Sequence, residues 1–179
     1  MAEAEWRYRY VGPADVREAS EGGAAGAPIR SRQDFESWVA AVDARDLAEP
    51  FTYVVDVDGV LRLAPRRSEH LACAGGGEVL GAGEMSFAQG PDGAWTVSEV
   101  SNLSTGYCPD VTSWLAVAAA LHRACLAAPG GFTAAVVFRR CANCQERNVV
   151  RDDDFVCAVC GALLPLRWNL DPSHVPGPL

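Results

Sequence analysis

Cys141 and Cys144 are separated by two residues, as are Cys157 and Cys160, and twelve residues lie between the pairs. Two residues between thiolates form a tight knuckle whose sulfurs face one ion, and a twelve-residue spacer makes a hairpin that returns the second knuckle tetrahedrally. The spacing is that of a zinc ribbon. Residues 148–151 and 155–156 read as its short strands around Asp152-Asp153-Asp154, and Gly161 supplies a turn after the second knuckle, where the first has Gln145. Four sulfurs close the coordination sphere, so the Zn2+ expected here is structural and holds no water or substrate. Iron in a rubredoxin-like site is the chemical competitor. Thiolate binding to zinc is worth about 10–16 kcal/mol in zinc-finger peptides, enough to fold a segment too small for its own core. Chelation is therefore expected to melt the ribbon before the rest. Disulfides are disfavoured in a chain read as cytoplasmic, without a secretory signal at its start. Cys73, Cys108 and Cys125 lack the knuckle spacing, and Cys125 is expected in the core.

A second set of chemically capable residues lies in Glu69–Phe87 (EHLACAGGGEVLGAGEMSF) and Glu99–Asp110 (EVSNLSTGYCPD). The order Asp58-Gly59, His70, Gly75-Gly76, Ala82-Gly83-Glu84, then Ser104-Thr105-Gly106-Tyr107-Cys108-Pro109 resembles a block in the plant IQ-motif-containing calmodulin-binding proteins. Similar segments occur in some large bacterial effector or toxin polypeptides. The resemblance covers roughly residues 51–121 and implies one domain, with no activity attached. Where that block has His-Tyr after Ser-Gly, this chain has Gly106-Tyr107 after Ser-Thr, and no IQ motif is present, so calmodulin binding is not carried over.

Taken as residues, the Gly-rich and Ser/Thr-rich loops are expected to bring His70, Glu84, Asn102, Ser104, Tyr107 and Cys108 to one rim. In an enzyme, His70 would act as acid and base, Glu84 would orient it, and Ser104 or Cys108 would be the nucleophile beside a helix start. The plainer account has Ser104, Thr105 and Asp110 satisfying backbone N–H groups, Glu84 alternating outward on a strand, and the glycines allowing a turn.

The elements that must hold both groups follow from pattern. Trp6, Tyr8 and Tyr10 alternate as in an edge strand, residues 12–28 read as a mobile loop, and Ser31 caps a helix running to about Asp46. Phe51–Val57 and Val60–Ala64 flank Asp58-Gly59, predicting a hairpin with a type I′ turn. Val79–Phe87 and Ala94–Val100 form a second pair around Pro91-Asp92-Gly93. A helix over Val111–Ala127 would bury Trp114, Leu115, Ala118, Leu121 and Cys125, and Phe132–Phe138 would be a sheet strand leading into the ribbon. The tryptophans are assigned to the core and to contacts flanking the ribbon, Leu163–Trp168 to a cover over the ribbon and sheet edge, with an exposed docking strip as its alternative, and Asp171–Leu179 to a flexible tail.

The expected fold is α+β: a mainly antiparallel sheet with two packed helices over residues 1–138, a ribbon over 139–168, and a tail over 169–179. At 179 residues and 49% hydrophobic, the chain is too short for two full-sized domains and too apolar for disorder throughout. It has no apolar run long enough to span a membrane. Its formal charge of −8 repels polyanions. In the ribbon Arg139, Arg140, Arg147 and Arg151 are offset by Glu146 and Asp152–Asp154, which disfavours nucleic acid as a partner. All 15 basic residues are arginine, so a Walker A lysine, Schiff-base catalysis and a pyridoxal phosphate anchor are excluded. The leading functional expectation is a zinc-stabilised, non-enzymatic protein acting through a protein partner. An enzyme built on the His70, Glu84, Tyr107 and Cys108 rim is the alternative, and a nucleic-acid-associated ribbon the weaker one.

Overall fold

The computed structural model describes residues 6–20 and 23–170. Among the described residues are seven strands, β1 (Ala27–Ile29), β2 (Phe51–Asp56), β3 (Leu61–Ala64), β4 (Val79–Gln89), β5 (Trp95–Val100), β6 (Val137–Arg140) and β7 (Arg147–Val150), with helices α1 (Ala14–Ser20), α2 (Arg32–Ala41), α3 (His70–Cys73) and α4 (Trp114–Arg123). The first five strands form one antiparallel sheet in the order β1-β3-β2-β4-β5, and β6-β7 forms a separate hairpin. The fold is thus α+β, with the four-cysteine cluster near the C-terminal end.

Every residue of β2 is buried, because the sheet is covered on both faces. Tyr53 and Val55 point into the layer of α2 and α4, with Phe35, Val39, Val117 and Leu121. Val54, one residue out of phase, meets Tyr8, Leu71 and Tyr107 on the other face. Burying each large side chain fully contributes about 1.5–3 kcal/mol. Glycine is required at Gly83, where a Cβ would run into the Ser101 carbonyl, so β4 and the 101–102 segment can approach this closely. Among the described residues no helix is long and apolar enough to cross a membrane.

Several expectations need correction. The 12–28 segment holds α1 and β1 instead of a loop: β1 pairs with β3, and Arg17 of α1 packs over the Tyr10 ring and donates to the Tyr10 carbonyl. The N-terminal aromatics make one bridge, Tyr8 to Val79, instead of a strand. Helix α2 stops at Ala41, where Val42 turns extended and the Asp43 carboxylate takes the Arg45 N–H. Of the Asp58-Gly59 pair only Gly59 has positive φ, so the turn is type I with a glycine bulge, held by Asp56 accepting from the Asp58 and Val60 N–H groups.

The face predicted for α4 was rotated. Val117, Ala120 and Leu121 are buried while Leu115 is 71% exposed. Cys125 is exposed too, because it occupies the left-handed position just past the helix: its N–H bonds the His122 carbonyl, and the next N–H, of Leu126, bonds Leu121. Residues 132–136 are not sheet strand, and β6 starts only at Val137 and pairs with β7. The predicted tail, Asp171–Leu179, lies outside the described residues.

Candidate metal centre

The hairpin β6-β7 opens into the first knuckle and returns through a two-residue turn at Asp152-Asp153, both with positive φ. Arg151 and Asp154 close that turn, and Val156 bridges Leu163. The knuckles are built alike. Gln145 N–H donates to the Cys141 carbonyl and Gly161 N–H to the Cys157 carbonyl, and Gln145 and Gly161 both stand in the left-handed region. Gln145 takes the conformation that glycine takes in the second knuckle, braced by its side chain on the Ala142 carbonyl.

The four Sγ atoms lie within 4.8 Å of one another, with Cys141 to Cys160 at 3.5 Å and Cys144 to Cys157 at 3.6 Å. A tetrahedron with metal–sulfur arms of about 2.3 Å has edges of about 3.8 Å. The quartet therefore fits one tetrahedral metal ion, and the four thiols are unbonded to each other. Backbone N–H groups of Cys160 and Val159 pull the Cys157 thiol below its ordinary range, and the Asn143 amide does the same for Cys160. These donors favour the thiolate that a metal needs.

Two supporting residues were not foreseen. Asn148 is 7% exposed: its amide donates to Glu146 O and to Cys157 Sγ at 3.5 Å, and its oxygen accepts the Ala158 N–H. Asn143 donates to Cys160 Sγ at 3.5 Å. The available signal was an amide side chain inside or just after a knuckle, in a segment otherwise too small to hide polar groups.

Most of the rim residues are engaged one by one with partners inside the fold. His70 Nε2 is 2.9 Å from the Gly83 carbonyl, and burial lowers its pKa, so the neutral ring donates there. Ser104 Oγ accepts the Tyr107 N–H, and Tyr107, fully buried, donates its hydroxyl to Gly77 O at 2.6 Å. Cys108 is buried with positive φ, its thiol directed at Thr105 O and raised in pKa by burial. Glu84 instead lines a small surface hollow with Ser86, Glu99 and Thr133. Asn102 is fully buried and clasps the chain beyond the sheet, donating to Pro109 O and Val136 O and accepting from Val136 N.

The arginines do not form one surface. Arg139 is buried, with its guanidinium turned to the carbonyls of Phe138, Pro165 and Leu166. Arg140 reaches Gln145 O, and Arg147 reaches Thr105 O and Cys108 Sγ. In the segment expected to be a cover, Leu163–Trp168, Leu164 is buried and Trp168 packs inward beside Leu170, but Leu163 and Leu166 face solvent. Comparison of the chain with protein-family models, curated proteins and solved structures finds no match.

Proposed function

We propose that this chain is a zinc-stabilised, non-enzymatic protein whose ribbon docks a protein partner. Zinc is the ion best suited to a closed four-thiolate site with no redox task. The observation that carries the docking reading is where the exposed large apolar side chains fall. Among the described residues ten are exposed, and five of these, Val149, Val156, Val159, Leu163 and Leu166, belong to the ribbon. Val156 and Leu163 are bridge partners, and Leu163 and Leu166 are 80% and 75% exposed. Single apolar residues scattered on a surface need no explanation, but this concentration on so small a lobe supports the reading of an interaction face. The enzymatic alternative has less behind it, since His70, Ser104, Tyr107 and Cys108 are each occupied by hydrogen bonds within the fold. The likeness of residues 51–121 to the plant module stays a proposal about fold, with no activity attached.

The test is a pull-down from the native host with the wild-type chain and with Leu163→Asp/Leu166→Asp, each checked for zinc content. A protein retained by the wild type and lost by the double variant, at equal zinc loading, is the expected outcome. Identical recovery with both would remove the ribbon face as the docking surface.

A further inference from the structure

The tryptophans not explained by the sheet gather where the two ends of the described chain meet. Trp6 and Tyr8 from the N-terminal segment, Trp168 from beyond the ribbon, and Asp110 and Thr112 from the start of the α4 region line an open cavity of about 180 Å³. Trp168 stands at 86° to Trp6 with centroids 5.6 Å apart, and at 85° to Tyr8 at 5.3 Å. Rings meeting near right angles make the walls of a box and not a stack. Two walls are fixed: Trp168 by its indole N–H on Cys108 O, and Tyr8 by backbone bonds in both directions with Val79. The third wall, Trp6, is 55% exposed, more than a core role asks of a tryptophan.

The box carries one charge. The Asp110 carboxylate accepts from the Thr112 N–H and hydroxyl. Its nearest cation, Arg139, stays 4.0 Å away and directs its donors at three backbone carbonyls. Arg9, which alternates with Tyr8, is paired with Glu78. The cavity thus offers the Trp6 and Trp168 rings above the buried Tyr8 and one acid, but few acceptors for the N–H groups of a bare ammonium or guanidinium.

We propose that this box binds a methylated ammonium cation, with the Trp6 and Trp168 rings receiving the N-methyl groups over a floor made by the buried Tyr8, and Asp110 supplying the opposing charge. Such cations are weakly hydrated, and aromatic faces attract them electrostatically. The cavity is smaller than the roughly 300 Å³ at which drug-sized pockets begin, so it suits one compact headgroup. The chain has no lysine, so the group comes from another molecule, either a free quaternary amine or a trimethyllysine side chain. The proposal stands apart from the ribbon docking face.

The test titrates the full metal-loaded chain, followed by tryptophan fluorescence and calorimetry, with tetramethylammonium, choline, the neutral choline isostere 3,3-dimethyl-1-butanol, and a trimethyllysine peptide beside its unmethylated form. Saturable binding of the cations is expected, with the isostere weaker by about tenfold, the equivalent of about 1.4 kcal/mol. Trp6→Ala, at an exposed position, should weaken choline about tenfold without shifting the melting temperature, and Asp110→Asn should also weaken it. A peptide that binds more tightly than choline assigns the source to a protein side chain; equal or weaker peptide binding assigns it to a free amine. Equal binding of isostere and choline, no saturable binding of any methylated probe, or an unaffected Trp6→Ala variant would each overturn the proposal.

Discussion

The indole N–H of Trp168 donates to the backbone carbonyl of Cys108 across 2.8 Å, fastening the stretch beyond the ribbon to the loop after the sheet. Arg147 of β7 reaches the same loop at Thr105 O, and the Asn169 amide both accepts from the Arg140 N–H and donates to its carbonyl. Trp168 and Arg147 therefore tie the ribbon region to the sheet domain. Metal removal should abolish slow amide exchange in β7 and the knuckles while β2 and β4 stay protected, with Trp168 emission shifting as its anchor loosens. Simultaneous loss of protection in both parts would show that the ribbon is no separate unit.

Asn148 holds the second knuckle against β7 through bonds to Cys157 Sγ, Ala158 N and Glu146 O. Asn148→Ala removes all three without touching a ligand, and outer-shell partners of this kind change metal affinity by about 10–100-fold. Competition against a chromophoric chelator should show that loss. Unchanged affinity would mean the knuckle needs no such support.

Asn102 saturates the Val136 N–H and two carbonyls in a fully buried place. Asn102→Ala should destabilise the fold by about 3 kcal/mol, since buried groups left unpaired each cost about 1–3 kcal/mol. For a chain of this size that is roughly 6–12 °C in melting temperature. A drop of only a degree or two would mean that water fills the gap.

Cys125 occupies the left-handed C-terminal position of α4, φ +55, where glycine carries no steric penalty. Cys125→Gly should raise stability by about 1 kcal/mol, near 2–4 °C in a thermal melt. A lower melting temperature would show that the side chain makes contacts worth more than the strain.

His70 is kept neutral by burial against the Gly83 carbonyl, with its folded pKa below the ordinary value. Below about pH 6.5 the unfolded chain takes up a proton that the folded chain resists, so stability falls as pH falls. His70→Gln can still donate to Gly83 O but cannot titrate. Between pH 7.5 and 5.5 the wild type should lose more denaturant midpoint than this variant, a difference in which acid loss from the cysteine site cancels. Equal losses would place the sensitivity elsewhere.

Local rules reached far into this molecule because its strands and knuckles carry their signals within a few residues: Asp58-Gly59 and Gly93 both mark turns, and the cysteine spacing alone specified the quartet. What escaped was set at a distance. Helix α1 packs on the Tyr10 ring through Arg17 and β1 pairs with β3, partners that local composition does not display. The buried side of α4 depends on its rotation over β4, and Ala120 or Val117 reads no more apolar than Leu115. Trp6 and Trp168 meet only because the chain beyond the ribbon folds back across the N-terminal segment.

The metal itself is decided by elemental analysis of the purified chain and of Cys157→Ser. About one zinc per wild-type chain and a clear loss in the variant are expected, as a closed four-thiolate site requires. A folded wild-type protein carrying no transition metal, with all four thiols free to react with a thiol reagent, would contradict it.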